Sequence, residues 1–176
     1  RRLATELVYG TVKASGTMDW YLAQCVSRPL DKVAGDILAI LRISTYQLLY
    51  MTRIPASAAV NEAVKLARSV SHEGSAKFVN GVLRGLLRKQ EAGAFVLPDA
   101  EKQDADYLSL KYYHPRWLVK RWLGPWGRGG TERLLAFDNT AAPVCLRANT
   151  LVTTRDKLLA DLTEMGYLEQ PHTSAG

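Results

Sequence analysis

The sequence has few of the residues from which metal sites and disulfides are built. Among 176 residues there are two cysteines, Cys25 and Cys145, which lie 120 positions apart, and three scattered histidines. This spacing matches neither a disulfide framework nor a zinc knuckle. We therefore expect no metal site and no structural disulfide.

Long apolar runs and catalytic signatures are missing as well. No stretch approaches the ~20 apolar residues that cross a bilayer, which excludes a transmembrane protein. There is no P-loop, nucleophile elbow, dinucleotide fingerprint or HExxH motif. The glycine-rich GPWGRGG at 124–130 lacks the preceding strand and the GK[ST] ending of a phosphate loop, so it is better interpreted as a turn. We expect no catalytic residue, cofactor site or membrane partner in this sequence.

Positive charge is present in excess, but only in the first half. Residues 1–95 hold 13 Lys and Arg against seven Asp and Glu, whereas residues 96–176 hold ten of each. The formal net charge of +6 therefore belongs to the first half, which indicates an anionic partner there. RNA or DNA is favoured, because Lys and Arg neutralise phosphates. The chain opens on Arg1 without an initiator methionine and stops inside a polar stretch, so we interpret it as a fragment.

The segment 75–89, SAKFVNGVLRGLLRK, predicts a helix with three kinds of surface. Two apolar rows at four-residue spacing cover about half of the helix, as a stripe facing a core does. Gly81 and Gly85 each cost about 1 kcal/mol relative to alanine, so we expect a close neighbouring backbone to compensate. A polar and basic row lies near the side opposite the apolar rows. It consists of Lys77, Asn80, Arg84 and Arg88.

Apolar periodicity predicts a mainly α protein. Residues 1–95 are expected to form an all-helical bundle, residues 96–111 a linker, and residues 112–176 an incomplete second module with α+β character. The third helix is apolar nearly all round, with Arg42 as its only interior charge, and so belongs at the centre. Asp19 is predicted to cap the second helix. The predicted helices span 2–15, 19–26, 31–50, 58–71, 75–89, 115–123, 131–139 and 154–165, and 144–147 has strand character.

Three motifs carry a resemblance to a known family. They are LRISTYQLLYMTRIP (41–55), AVNEAVKLAR (59–68) and KFVNGVLRGLLRK (77–89), and they make residues 1–89 resemble the NusB-like RNA-binding fold. That family contains free-standing transcription antitermination factors and the N-terminal domains of Fmu/Sun-type (RsmB-like) ribosomal RNA small-subunit cytosine-C5 methyltransferases. The segments 112–127 and 134–167 are similar to the part that joins the NusB-like domain to the methyltransferase domain, which favours the methyltransferases.

The resemblance implies a cytoplasmic RNA-binding region that orients ribosomal RNA and is not itself catalytic. In such enzymes S-adenosylmethionine and both catalytic cysteines belong to a Rossmann-like domain, expected beyond residue 176, so no catalytic role is given to Cys145. Two alternatives stay open. One is a NusB-type antitermination factor that regulates transcription with protein partners, and the other is a self-associating bundle without an RNA role.

Nine residues are candidates for RNA contacts on this interpretation. Asn80 either contacts a base or sugar, or caps or bridges helices. Arg147 and Asn149, in LRANT, either orient RNA or brace a turn. The basic row could equally be a solvated face, as Lys/Arg rows on amphipathic helices usually are. The phosphate contacts are predicted to be Arg1, Arg2, Lys77, Arg84, Arg88 and Lys89.

Overall fold

The structure, a computed structural model, describes residues 2–51, 53–142 and 144–167, and the side chain of Arg2 lies outside the described part. The described residues form eight α-helices and a 3-10 turn at Leu30–Lys32, and no strand is assigned among them. The helices are α1 (Arg2–Lys13), α2 (Ser15–Ala23), α3 (Gly35–Tyr50), α4 (Ala56–Val70), α5 (Glu73–Glu91), α6 (Asp104–Tyr112), α7 (Arg116–Asp138) and α8 (Arg155–Glu164). The mainly α prediction is confirmed.

Helix α3 lies at the centre of the bundle, as its apolar circumference predicts. It packs against α1, α2, α4 and α5. Leu41 of α3 and Leu83 of α5 are fully buried, and Ala67 of α4 lies between larger side chains of the same cluster. Small residues on α4 allow the helices to approach closely, and the large ones supply the apolar area that stabilises the bundle.

The predicted cap at Asp19 is wrong. Helix α2 begins at Ser15, directly after α1, so Asp19 lies in its interior. Its carboxylate accepts two hydrogen bonds from the Arg42 guanidinium, from Nε and from Nη2, each at 2.7 Å. These bonds raise the pKa of Arg42. The interior charge of α3 is therefore paired by an acid 23 residues away, a contact that local sequence patterns do not reveal.

Helix α6 lies within the segment predicted as a linker, so residues 104–111 are helical rather than connecting chain. Leu108 supplies the reason: it is fully buried against Val119 and Leu135 of α7. Thr17 of α2 donates a hydrogen bond from Oγ1 to the Leu110 carbonyl at 3.1 Å, which joins α6 to the bundle. The domain boundaries at 95 and 112 remain a prediction.

Helix α7 contains the predicted turn in a narrower form. The helical stretches on either side meet at Gly127, whose φ of 60° and ψ of −179° are not helical. This positive φ is open to glycine because it has no Cβ. The turn predicted over 124–130 is therefore a kink at one residue, and the chain is helical on both sides of it.

The described residues between 140 and 167 form a separate compact unit. Its helix α8 is capped by Thr154, whose Oγ1 accepts from the Lys157 amide at 3.3 Å, and it is followed by Gly166 at φ 83°. The predicted strand at 144–147 is wrong for the described residues, which carry no strand assignment there. Val144 is 89% exposed and Leu146 66% exposed. A β-strand needs a hydrogen-bonded neighbour, and none is assigned in the described part of the chain.

Candidate RNA-binding surface

Contacts at the N-terminus of α5 and along its buried side fix the orientation of the helix. The side chain of His72 accepts a hydrogen bond from the Ser75 amide at 3.3 Å, and Glu73 complements the positive end of the helix dipole. On the inner side Val79, Leu83 and Leu86 are fully buried. At 100° per residue the centre of this buried stripe lies opposite Arg88, so packing fixes which residues face outward.

Three cations on the outer side of α5 form what we call the basic ridge, which consists of Lys77, Arg84 and Arg88. All three are exposed. None of them has an ion pair with another described residue, whereas Arg42, Arg68 and Arg116 each bind a carboxylate. Lys77 has a small coulombic effect on Glu73, whose pKa is lowered mainly by its hydrogen bond with Arg68. The ridge is therefore a row of charges that internal ion pairs leave available.

Asn80 acts on its neighbour within the helix. Its Oδ1 accepts a hydrogen bond from Arg84 Nε at 3.0 Å, one turn along α5. It thus neither caps α5 nor bridges two helices. The bond occupies only Nε, so it fixes the direction of the guanidinium while its two terminal nitrogens can still donate. An RNA contact by Asn80 itself stays a prediction.

The expectation of a close neighbour at Gly81 and Gly85 is wrong. A Cβ built on Gly81 meets no atom within 4 Å, and one built on Gly85 meets only the flexible Arg88 Nη2 at 3.8 Å. By helical angle both glycines lie beside the basic ridge; Gly81 is exposed and Gly85 is half-buried. The close approach occurs instead on α1, where a Cβ at Gly10 would lie 2.2 Å from Cζ of Tyr46.

Lys89 does not join the ridge. Its Nζ donates to the carbonyl of Gln24, so it ties the end of α5 to the end of α2. Sequence reasoning missed Arg28, an exposed cation whose guanidinium lies 4.4 Å from the centre of the Phe78 ring. Because Arg28 belongs to a loop, no helical period marks it, and only the fold brings it to α5.

The remaining candidates fall outside this surface. Arg1 and the side chain of Arg2 lie outside the described residues. Arg147 is exposed in the unit that begins at residue 140. In the same unit Asn149 Oδ1 accepts from the Leu151 amide at 3.1 Å, and its carbonyl accepts from the Val152 amide at 2.9 Å. Asn149 therefore braces a turn, which was one of its two predicted roles.

Two cavities in the described part of the chain lack the surroundings expected of an S-adenosylmethionine site. One cavity, of about 420 Å³, is a groove between α3 and α4, and another, of about 250 Å³, is lined in part by Tyr21, Tyr50 and Phe95. Neither adjoins a strand followed by a glycine-rich turn, the arrangement that binds nucleotides in α/β folds. Within the described ranges no trio of His, Cys, Asp or Glu could hold a metal, and no helix is long and apolar enough to cross a membrane.

Comparison with known families agrees with the helical bundle. The NusB family matches residues 1–88, which is half of the chain. The chain therefore belongs to the NusB family. A second family, "Methyltr_RsmF/B-like, ferredoxin-like domain", matches residues 114–176. The resemblance carried by the three motifs is confirmed.

Individual relatives align with nearly the whole chain, across both matched regions. The chain is 39% identical over 165 residues to the probable ribosomal RNA small subunit methyltransferase B of Synechocystis sp.. It is 34% identical over 166 residues to the protein of the same name in Bacillus subtilis. Each alignment covers 94% of this chain but 36% of the relative. The chain thus spans about a third of the length of the curated relatives that it matches.

Proposed function

We propose that the basic ridge of α5 binds phosphates of ribosomal RNA, and that the chain is the RNA-orienting N-terminal region of a ribosomal RNA (cytosine-C5) methyltransferase. The observation that carries this proposal is the row of three exposed cations that form no ion pair with another described residue, on a helix whose other side is buried. The names of the relatives supply the substrate class.

The spacing of the ridge suits a polyanion. At a rise of 1.5 Å per residue, Lys77 and Arg88 are about 16 Å apart along the helix axis, with Arg84 between them. A nucleic-acid strand carries one negative charge per nucleotide, so several phosphates can lie along such a row. Cations without an internal partner bind phosphate at lower cost, because no ion pair is broken first.

The rest of the methyltransferase reaction is assigned to other parts of the longer protein. S-adenosylmethionine and the catalytic residues are proposed to lie outside the residues described, in a protein that works in the cytoplasm. Residues 1–95 would hold the RNA, and residues from 112 would begin the methyltransferase module. A free-standing antitermination factor is disfavoured, because the match at residues 114–176 is to a methyltransferase-associated domain.

The test compares two charge-matched double variants in an RNA filter-binding assay at low salt. Arg84→Ala with Arg88→Ala removes two ridge cations. Lys65→Ala with Arg68→Ala removes two cations that already pair with Glu62 and Glu73. The proposal predicts at least about a tenfold loss of affinity for a ribosomal RNA fragment in the ridge variant, since charge-assisted contacts are worth roughly 1–2 kcal/mol each. Equal losses in both variants would show that only net charge matters.

A further inference from the structure

A second surface, on the first half of α7, combines an exposed tryptophan with cations. Trp117 is 64% exposed, and among the described residues no aromatic ring packs on its indole. Lys120 and Arg121 follow at three and four positions, which places them beside the indole on the same face of the helix. Both are exposed. We call this set, Trp117, Lys120 and Arg121, the α7 face.

The electrostatics of the α7 face favour an anion. Residues 107–131 contain five Lys and Arg and no Asp or Glu, although the second half of the chain is neutral as a whole. Three of these five cations are already paired with acids that flank the stretch: Lys111 with Glu132, Arg116 with Asp106 and Arg128 with Asp104. Lys120 and Arg121 have no ion pair within the described ranges. No ion pair with another described residue therefore compensates the charge of Lys120 and Arg121 next to Trp117.

The shape of the α7 face also leaves room for a flat ligand. Gly124 lies seven positions after Trp117, so it falls almost directly two turns along the same side of the helix. A Cβ built on Gly124 would meet no atom of the described part of the chain within 4 Å. The indole is consequently bordered by cations on one turn and by bare backbone on the next. Burying such a large apolar ring against a partner is favourable.

We propose that the α7 face binds single-stranded RNA, with one unpaired base stacked on the indole of Trp117 and the flanking phosphates bound by Lys120 and Arg121. An exposed aromatic ring between cations is the arrangement by which proteins bind single strands, because every base has a face that can stack. In a duplex those faces are covered by neighbouring bases. The α7 face is separate from the basic ridge, but its choice of RNA as ligand rests on the proposed function.

The test measures the affinity of the whole 176-residue chain for an unstructured oligouridylate of about ten nucleotides. Trp117→Ala is expected to weaken binding by about fivefold to a hundredfold, the usual contribution of one base–aromatic stack. Trp117→Phe, which retains a ring, is expected to recover most of that loss. Trp126→Ala is the matched control: Trp126 is 52% exposed on the same helix, but its ring stacks on Trp122 with centroids 6.0 Å apart.

Two further probes decide whether stacking is the cause. An abasic strand of the same length and a fully paired RNA duplex keep the phosphates but offer no free base. Trp117→Ala and the unaltered chain should bind each of these two probes with the same affinity. Lys120→Ala with Arg121→Ala should weaken the binding of both probes. Circular dichroism confirms that each variant retains its helices.

Several results overturn the α7 proposal without touching the basic ridge. One is a Trp117→Ala variant that binds the oligouridylate within about twofold of Trp126→Ala. Another is an equal loss on the abasic strand, which would exclude stacking. Binding of a polyglutamate peptide as tight as RNA, abolished in the same variants, would indicate an acidic protein partner instead. Conversely, normal RNA binding by the Arg84/Arg88 double variant together with weak binding by Trp117→Ala would refute the ridge and leave the α7 face standing.

Discussion

Replacing Gly81 by alanine tests the finding that the exposed glycine has no neighbour. Alanine is favoured over glycine inside a helix by about 0.5–1 kcal/mol. No atom of the described residues lies within 4 Å of the new Cβ, so no clash with them offsets this gain. We expect Gly81→Ala to raise the free energy of unfolding by about 0.5–1 kcal/mol, which corresponds to roughly 1–4 °C in Tm for a chain of this size.

The matched substitution at Gly10 should have the opposite sign. Its Cβ would lie 2.2 Å from Cζ and 2.3 Å from Oη of Tyr46. The Tyr46 ring stacks on Tyr50 with centroids 5.4 Å apart, so it cannot move without disrupting that stack. Overpacking costs about 1–3 kcal/mol, which exceeds the gain in helix propensity. We expect Gly10→Ala to lower stability by about 0.5–2 kcal/mol.

Thermal and urea unfolding followed by far-UV circular dichroism measure both variants under the same conditions. The difference between them, rather than either value alone, carries the test, because the gain in helix propensity is common to both substitutions. Destabilisation by Gly81→Ala comparable to that by Gly10→Ala would refute the reasoning, since it would mean that another part of the chain packs on α5 where the structure leaves space.

Three further predictions concern groups of known environment. Asp19→Asn should destabilise the bundle by about 1–2 kcal/mol in urea unfolding, because it breaks a half-buried bidentate pair with Arg42, whereas Glu62→Gln at an exposed pair should cost under about 0.5 kcal/mol. A loss of stability in Glu62→Gln larger than that in Asp19→Asn would contradict this expectation. Hydrogen bonds from Lys111 and Tyr112 lower the pKa of Glu132. The ionised Glu132 carboxylate therefore stabilises the fold above the usual carboxyl pKa, and this stabilisation is lost as pH falls through the lowered value. We expect Glu132→Gln to make stability depend less steeply on pH in the acid range. Burial raises the pKa of the Cys25 thiol, so iodoacetamide at about pH 8 should modify exposed Cys145 first, as peptide mass mapping can check. Faster modification of Cys25 would be inconsistent with its burial.

The sequence predicts the parts of this fold that depend on local periodicity. The apolar rows of α5 and the all-round apolar surface of α3 locate the bundle core, because a helix must bury its apolar residues. Helix α6 escapes the same reasoning, since its fully buried apolar side chain, Leu108, lies just after the polar and acidic residues 99–106. The Asp19–Arg42 pair escapes it too, because residues 23 apart meet only in the folded chain.

The candidate surface likewise has features that the sequence predicts and features that only the fold shows. The outward position of Lys77, Arg84 and Arg88 follows from spacing alone. Spacing alone does not reveal that these three cations lack ion pairs, because Arg68, which also lies a few positions from an acid, is paired with Glu73 in the fold. Net charge also conceals local charge: the neutral second half contains the basic stretch 107–131. Averaging over half the chain thus hides the face around Trp117.

The most direct test of the basic ridge is the salt dependence of RNA affinity. Removing one phosphate contact reduces the slope of log affinity against log salt by about 0.7 on single strands and 0.9 on duplexes. Arg84→Ala with Arg88→Ala should therefore reduce the slope by about 1.4–1.8, while Lys65→Ala with Arg68→Ala leaves it nearly unchanged. An unaltered slope in the ridge variant would show that Arg84 and Arg88 are solvated charges that do not contact RNA.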